Sequence, residues 1–311
     1  MAAHALKRLA EAVPTLIGAS MLVFALIHLV PGDPAAVYLG PDALASDVAT
    51  LRHHLGLDRP LAAQYWLYLT HALAGDLGRS YTYKAPILSL ILGALPNTLE
   101  LSAAALLFSL ALALPLGIAA ALRPQTALDY ASTTVAVAGV AVPVFWLAIM
   151  LIFVFAVRLH WLPASGRGGP PWTAEGLAHL ALPALSLGLG LTASTARLAR
   201  ASMLEVLDEE YVRTARAKGL RPRAVTLHHA LRNALIPIVT NVSLQVGILL
   251  GGAFLTETVF AWPGIGRLAV DAMVRRDYPL LQGVLLITIV FFILVNLLVD
   301  LVYPLLDPRI R

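Results

Sequence analysis

Long apolar runs constrain this chain more than any other feature of its sequence. Each run is about 20 residues or longer, and a helix of that length crosses the ~30 Å hydrocarbon core of a bilayer. Hydrophobic residues make up 59% of the 311 residues and charged residues only 13%, which excludes a soluble globular domain. The six predicted spans are residues 9–30, 96–122, 132–157, 177–196, 235–255 and 279–302.

The spans and the segments between them divide the chain into three parts. Residues 1–31 are predicted to hold an N-terminal transmembrane helix, and residues 32–95 a folded insert of helices and turns. Residues 96–311 are predicted to form a five-helix core that contains a charged loop at 197–234.

Two places in the core are not predicted to be plain helix. Pro143 interrupts the third span, because proline removes a backbone donor and crowds the preceding turn. Residues 256–267 contain so many helix breakers that they predict a re-entrant or surface segment, followed by a short helix that reaches about Arg276.

The longest charged stretch, residues 205–237, lies between the fourth and fifth spans. Residues 211–218 are good helix formers, Gly219 can adopt a positive φ, and Pro222 can begin a second helix. An apolar stripe on that second helix predicts a folded hairpin: Val225, Leu227, Leu231 and Leu235. Basic residues crowd the turn: Arg213, Arg216, Lys218, Arg221 and Arg223. This surface suits an acidic or polar partner outside the membrane.

The distribution of basic residues predicts the orientation of the spans. With the amino terminus inside, 13 Lys and Arg residues lie in cytoplasmic segments, and 9 are spread over longer outer segments. Because short cytoplasmic loops are enriched in Lys and Arg, both termini and the 197–234 loop are placed in the cytoplasm. The sequence thus predicts an all-α membrane protein with six transmembrane helices, a cytoplasmic coupling-helix hairpin and an extracytoplasmic insert after the first helix.

Composition and motifs exclude several kinds of chemistry. The chain has no cysteine, so disulfides, thiolate chemistry and Cys-based metal sites are impossible. It has no G-x-x-x-x-G-K-[ST], H-E-x-x-H or G-x-S-x-G motif, so any ATP that drives it binds to another chain. The net charge of +4 does not predict nucleic-acid binding, because the basic residues lie mostly at the ends of apolar segments. For His228 and His229 a structural or interfacial role is expected, not a metal site.

Several motifs together resemble one family. TARAKGL followed by HALRNALIP resembles the cytoplasmic coupling loop of ABC-importer permeases, in the form found in the dipeptide, oligopeptide and nickel subgroup. Counted from Gly219, Ala215 and Leu231 match the general loop pattern of these permeases. The residues that stand where that pattern has Glu, Ala, Ile and Pro are Arg213, Thr214, His229 and Arg232. These departures favour this subgroup over sugar or amino-acid permeases. The resemblance extends over nearly the whole chain through VPGDP, LGLDRP, QYWLYL, GDLGRS, TETVFAWPGIGR, RRDYP and LLDPRIR.

The resemblance implies a transport subunit, not an enzyme. Such a chain is the permease of an ATP-driven importer in the bacterial inner membrane and forms half of the translocation pathway. Expected partners are a second, similar permease in a heterodimer, two ATPase subunits that bind ATP and Mg²⁺, and an extracytoplasmic substrate-binding protein. The chain itself is expected to bind no cofactor. Di- and oligopeptides are the expected cargo, with glutathione, nickel or a metal chelate as alternatives.

Three groups of residues are candidates for function. The residues expected to couple to the ATPase are Tyr211, Arg213, Ala215, Arg216, Lys218, Gly219, Leu220, His229, Leu231, Arg232 and Asn233. The candidates for the translocation path or its gate are Glu100, Pro143 and Glu257. The candidates for docking the binding protein are Asp33, Trp262 and Asp277. Glu100 has an alternative role as a helix-start or interfacial carboxylate, Pro143 as a packing kink, and Asp33 as part of a helix-ending turn.

Two other classes of function remain as alternatives. A secondary transporter needs ionisable residues at mid-membrane depth, but Glu100, Glu257 and Asp300 lie near predicted span ends. An intramembrane enzyme needs a serine with a buried His or Lys partner, or a pair of intramembrane aspartates, and neither pattern is visible. Dependence of uptake on ATP separates an ABC permease from a secondary transporter.

Overall fold

A computed structural model describes residues 2–29, 34–40, 43–54 and 56–306. These residues form α-helices and two π-helical segments, and they contain no β-strand. The chain divides into two compact units. The first unit comprises residues 1–97 and 264–297, and the second comprises residues 98–263 and 298–311.

The helices follow one another with short connections, apart from the loops at 74–86 and 159–173. In chain order they are α1 (Ala2–Leu29), α2 (Pro34–Leu39), α3 (Ala45–His54), α4 (Leu61–Leu73), α5 (Ile87–Leu122), α6 (Ala127–Ala141), α7 (Val144–Leu151), π1 (Ile152–Arg158), α8 (Ala174–Leu207), α9 (Glu210–Ala217), α10 (Pro222–Ala224), π2 (Val225–Ala230), α11 (Leu231–Gly252), α12 (Phe254–Val259), α13 (Ile265–Val274) and α14 (Tyr278–Leu306).

Three of the described helices are long and apolar enough to cross a membrane. They are Ile87–Leu122, Ala174–Leu207 and Tyr278–Leu298. Shorter apolar helical segments occur at Ala10–Ala25 in α1 and at Val144–Arg158 in α7 and π1. Large apolar side chains on these helices face outward, such as Leu107 and Leu298, which are 67% and 63% exposed. Such surfaces suit a lipid solvent, in which apolar exposure carries no penalty.

The core of the first unit joins the beginning of α5 to α13 and α14. Apolar side chains from the three helices pack together: Ile87, Ile91, Ala94, Ile265, Ala272, Leu280 and Val284. Gly283 allows the close approach of α14 to α5, because a Cβ at this position would lie 2.6 Å from Ile87 Cγ2.

The second unit is built around α8. This helix packs on α6, α7 and α11, and Gly188, Ala193 and Ala196 are among its buried residues. A Cβ at Gly188 would lie 2.8 Å from the Ala105 carbonyl oxygen on α5. The small residues therefore permit close helix contact within the second unit, as the sequence predicts for the fourth span.

Close packing of α5 on α8 makes Gly117 a sensitive position. A Cβ there would lie 2.6 Å from the Ala196 carbonyl oxygen and 2.7 Å from Ala199 Cβ. We expect Gly117→Ala to lower the free energy of unfolding by about 1–3 kcal/mol, because backbone atoms must move. Gly93→Ala on the same helix is the matched control, since nothing lies within 4 Å of its added methyl group. Thermal unfolding of the purified protein in detergent measures both, and an equal midpoint for the two variants would contradict the prediction.

The helix boundaries differ from the predicted spans in two respects. The second span was predicted to open at Pro96, but α5 begins at Ile87, so that opening is wrong. Residues 87–95 are themselves apolar, and a membrane helix tolerates one proline when its neighbours pack around the freed carbonyl. The fourth predicted span is shorter than α8, which continues to Leu207 because the charged residues after Ala196 are also good helix formers.

Both predicted interruptions of the core are confirmed. The third span breaks between α6 and α7, and Pro143 stands before the first residue of α7 with φ −61° and ψ 133°. Residues 254–274 form two short helices separated by residues 260–264, not one continuous helix. The π1 segment that ends the third span has no counterpart in the sequence prediction.

Candidate coupling hairpin and buried polar clusters

The charged stretch between α8 and α11 folds as the predicted hairpin. Helix α9 covers Glu210–Ala217, and Gly219 follows with φ +76°. Pro222 then occupies the first position of α10, where its missing N–H costs no helical hydrogen bond. Gly219 is needed here because a positive φ places a Cβ against the following backbone.

Side chains hold the hairpin against the ends of α8 and α11. Val212, Ala215 and Val225 are buried together beside the last turn of α8. Asn233 of α11 donates a hydrogen bond from Nδ2 to the Tyr211 hydroxyl oxygen at 2.7 Å. The hairpin is therefore tied to both neighbouring helices, as a rigid element needs to be.

The predicted coupling residues fall into three groups by exposure. The exposed ones are Tyr211, Arg213, Arg216, Lys218, Gly219, Leu220, Arg232 and Asn233. His229 and Leu231 are partly buried, and Ala215 is buried. Ala215 thus holds α9 in place, while the basic side chains form an exposed cationic surface at the turn. That surface can bind acidic or polar groups of a partner protein.

Between α10 and α11 the chain forms the π2 segment, Val225–Ala230, which sequence reasoning missed. It carries His228 and His229, the pair for which a structural or interfacial role was expected. π-Helical turns in proteins are often found at functional sites. No composition signal separates a π-turn from an α-turn, because both use the same helix-forming residues.

Glu257 is a fully buried carboxylate at the start of the 254–263 segment. Thr98 of α5 donates its hydroxyl to Glu257 Oε1 at 2.7 Å, and Thr98 is itself only 2% exposed. Trp262 in the same segment is also fully buried, and its backbone N–H donates to the Glu257 carbonyl at 2.8 Å. These contacts fold the segment tightly against α5.

Glu100 is paired with a residue that the sequence did not suggest. Arg167, in the loop before α8, donates from Nε and Nη2 to Glu100 Oε2 at 3.2 and 2.5 Å. The other carboxylate oxygen, Oε1, is buried without a hydrogen-bond partner. The same loop is held at Gly166, whose N–H donates to the Phe260 carbonyl at 2.8 Å. The loop therefore closes over the same end of the second unit as Glu257.

Pro143 lies beside two apolar cavities at the break between α6 and α7. The first, about 480 Å³, is lined by Pro143 together with Gly190 of α8 and Leu249 of α11. The second, about 300 Å³, is lined by Trp146 and by Thr192 of α8. Of these two pockets Pro143 lines the first, and both are open at the surface of the second unit.

Two family models match this chain. A model of the binding-protein-dependent transport system inner membrane component matches residues 113–311, and a model of the N-terminal part of such membrane components matches residues 1–102. The chain belongs to this permease family. The resemblance to ABC-importer permeases of the peptide subgroup is therefore confirmed.

The permease resembles several characterised relatives over its full length. It is 43% identical to the dipeptide transport system permease protein DppB of Alkalihalophilus pseudofirmus, in an alignment that covers 100% of both chains. It is 45% identical to the di/tripeptide transport system permease protein DppB of Pseudomonas aeruginosa, with 98% of this chain and 97% of the other covered. It is 43% identical to the glutathione transport system permease protein GsiC of Salmonella typhimurium, with 99% and 98% covered.

Among solved structures, the permease shares the fold of the MetNI methionine ABC transporter in an inward-facing conformation. The match covers 70% of this chain and 96% of that chain, with a TM-score of 0.59 and 18% identity. At that identity the similarity concerns the fold alone.

Two of the three predicted docking residues of the permease are not on its surface. Trp262 and Asp277 are both fully buried, and Asp33 lies outside the described residues. Docking of a binding protein at these positions stays a prediction.

Asp277 holds together the 80–83 turn and the start of α14. Its carboxylate accepts hydrogen bonds from the Ser80 hydroxyl at 2.5 Å, the Thr82 N–H at 2.8 Å and the Leu280 N–H at 3.3 Å. The last of these bonds caps α14 at its N-terminus. Asp277, the aspartate of the RRDYP motif, thus has a structural role in this fold.

We expect Asp277→Ala to destabilise the permease by about 2 kcal/mol, because it leaves buried donors unpaired. Asp271→Ala is the matched control, since the Asp271 side chain is 38% exposed and its Oδ2 lies 3.9 Å from Arg267 Nε. Thermal unfolding in detergent compares the two variants. The prediction is wrong if Asp277→Ala unfolds at the same temperature as Asp271→Ala.

A second ion pair lies where α6 meets α8. Arg200 donates to both oxygens of Asp129 at 2.5 and 2.7 Å, and the Gln125 N–H donates to Asp129 Oδ2 at 2.9 Å. Sequence reasoning did not single out this pair. It fixes the start of α6 to α8 near the hairpin.

Proposed function

We propose that this permease imports di- and oligopeptides and supplies half of the translocation pathway of an ATP-driven transporter. The similarity of the whole chain to permeases named for dipeptide and di/tripeptide transport, at 43–45% identity, carries the proposal.

Six helical segments are proposed to cross the membrane. They are α1, α5, α6 with α7 and π1, α8, α11 and α14, with both termini in the cytoplasm. The three long apolar helices and the distribution of Lys and Arg support this arrangement. It places the hairpin of α9 and α10 in the cytoplasm and the loop with Arg167 outside.

The hairpin is proposed to dock into a cleft of an ATPase subunit and to transmit its motion. A loop that moved freely would dissipate the displacement, whereas a hairpin packed on α8 and bonded to α11 carries it as a rigid-body movement. The packing of Val212, Ala215 and Val225 and the bond between Tyr211 and Asn233 support this role. The exposed basic residues of the turn supply the charge for docking.

The remaining subunits follow from the family. We propose a second, similar permease in a heterodimer, two ATPase subunits that bind ATP and Mg²⁺, and an extracytoplasmic binding protein that delivers the peptide. This chain is proposed to bind no cofactor of its own, in agreement with its lack of a nucleotide-binding motif.

Glutathione is the second candidate cargo. The observation that favours it is the 43% identity to the glutathione permease GsiC, because glutathione is itself a modified tripeptide. Nickel or a metal chelate is a further candidate, whereas the relatives described here are named for dipeptide, di/tripeptide and glutathione transport. The described residues include no group of three His, Cys, Asp or Glu side chains placed to hold a metal ion.

Uptake in proteoliposomes tests the cargo and the energy source together. The permease is reconstituted with its partner permease, the ATPase subunits and the binding protein, and radiolabelled dipeptide, glutathione and Ni²⁺ are compared with and without ATP inside. We expect saturable dipeptide uptake only with ATP. Uptake driven by an ion gradient without ATP would contradict the proposal and favour a secondary transporter.

A further inference from the structure

Helix α4 is apolar, although it lies in the insert that the sequence places outside the membrane. Its 13 residues, LAAQYWLYLTHAL, include no Asp, Glu, Lys or Arg. One exposed face of the helix consists of Ala62, Ala63, Trp66, Thr70 and Leu73, whereas Leu61 and His71, which are also exposed, lie on another side of the helix. Trp66 and Leu73 are 66% and 80% exposed. Thr70 donates its hydroxyl to the Trp66 and Leu67 carbonyls at 3.0 and 2.9 Å, so its proton is already bonded within the helix.

The preceding helix α3 provides a contrast within the same insert. Its exposed residues include Asp47, Arg52 and His53, and His53 Nδ1 lies 2.7 Å from Asp58 Oδ2. Charged side chains are typical of a helix surface in water, whereas an exposed apolar face with tryptophan is typical of a helix at a lipid surface. The two helices of one insert therefore have surfaces suited to two different solvents.

Side-chain contacts hold α4 beside the outer half of α1. The hydroxyl oxygens of Tyr65 and Ser20 are 2.8 Å apart, and Gln64 Oε1 lies 3.1 Å from His28 Nε2. Ser20 is nine residues before Leu29, the last residue of α1. At 1.5 Å per residue that distance is about 14 Å, close to half of the ~30 Å hydrocarbon thickness. The Tyr65 hydroxyl thus contacts α1 near the middle of the membrane, and Gln64 contacts α1 one residue before its outer end, which places this part of α4 beside the outer half of α1.

We propose that α4 is embedded in the outer leaflet of the bilayer, with the face that carries Trp66 and Leu73 against lipid. The proposal rests on the proposed orientation, in which α1 crosses the membrane and ends at its outer side. Lipid is the occupant that fits, because the face has neither charge nor a free hydroxyl donor for a protein or peptide partner. The insert is then not wholly extracytoplasmic, since residues 61–73 form a membrane-embedded element within it.

Single cysteines test this placement cleanly, because the chain contains no cysteine of its own. Ala63→Cys lies on the lipid-facing side of α4, and Ala49→Cys, an exposed alanine of α3, is its matched control. The variants are assembled with the partner subunits and reconstituted in proteoliposomes. A membrane-impermeant maleimide is added to the outer side. It is expected to label Ala63→Cys at least about 10-fold more slowly than Ala49→Cys, because a thiol in lipid ionises poorly.

A second readout identifies what covers the face. Bimane attached to Ala63→Cys is expected to be quenched by lipids brominated on their acyl chains, and bimane attached to Ala49→Cys is not. Equal labelling of the two variants would overturn the proposal. Slow labelling without quenching would also overturn it, because a protein surface would then cover the face.

Dipeptide uptake by the same proteoliposomes keeps this inference separate from the proposed function. Normal uptake with fast labelling of Ala63→Cys rejects only the lipid placement. Absent dipeptide uptake by the unmodified transporter rejects the cargo, while labelling and quenching still decide where α4 lies.

Discussion

Replacing Gly219 with proline is expected to abolish peptide uptake while the permease still inserts into the membrane. Gly219 has φ +76°, and proline fixes φ near −65°. Proline also removes the N–H that donates to the Arg216 carbonyl at 3.0 Å. The native turn should lose about 3 kcal/mol or more, which corresponds to a roughly 100-fold loss of the correctly folded hairpin. ATP-dependent dipeptide uptake in proteoliposomes measures the result.

Gly219→Ala is a milder change at the same position. No atom lies within 4 Å of the added methyl group, so the only cost is the positive φ, about 1–2 kcal/mol. Uptake should fall by less than with proline. In both variants the amount of permease extracted from the membrane and the thermal unfolding of the rest of the chain should stay unchanged. Full uptake by Gly219→Pro would show that the shape of the hairpin does not carry the coupling.

The charge reversal Arg216→Glu with Lys218→Glu separates the shape of the hairpin from its docking chemistry. Both side chains are exposed, so the fold of the hairpin should survive the change. If the ATPase binds this surface through acidic groups, ATPase subunits should no longer co-purify with the variant. Retained co-purification and uptake would place the docking contact elsewhere.

Local features of this fold could be predicted from the sequence because each depends on a few neighbouring residues. Gly219 and Pro222 mark the turn of the hairpin, and Pro143 marks the break in the third span. The apolar runs indicate where long helices lie. The start of α5 at Ile87 could not be predicted in the same way, because proline is typical of the first turn of a helix and Pro96 therefore indicates a later start.

Contacts between distant residues could not be predicted, because one sequence does not give the order in which helices pack. Glu100 and Arg167 are 67 residues apart, and Thr98 and Glu257 are 159 residues apart. Such pairs become visible only when the helices are placed side by side. Their participants were recognisable as unusual, since Glu100 and Glu257 are carboxylates beside apolar spans, but their partners were not.

The burial of Asp277 shows a second limit of prediction from a single sequence. A charged residue in a breaker-rich stretch is usually at the surface, and a docking role requires that exposure. In the structure the carboxylate is turned inward, because two backbone N–H groups and the Ser80 hydroxyl need an acceptor. A single sequence gives no signal for a demand that arises from backbone groups of another segment.

Glu257→Leu is expected to destabilise the permease by about 3 kcal/mol, because it removes the buried carboxylate that accepts a hydrogen bond from the Thr98 hydroxyl. Glu257 and Thr98 are both buried, with 0% and 2% of their surface exposed. The 254–263 segment should loosen from α5, and uptake should fall with it. Glu257→Gln keeps an oxygen in place for Thr98 and should retain most of the stability. Thermal unfolding and dipeptide uptake of each variant are the measurements.

A double-mutant cycle between these two residues distinguishes a structural hydrogen bond from a charge that acts in transport. Thr98→Val alone should also be destabilising, whereas Thr98→Val with Glu257→Leu should lose less than the sum of the single changes, by about 1 kcal/mol or more. Additive losses would mean that the bond contributes little. If Glu257→Gln unfolds like the unmodified permease but does not transport, the negative charge itself is required in the pathway, and the gate assignment made for Glu257 gains over a structural one.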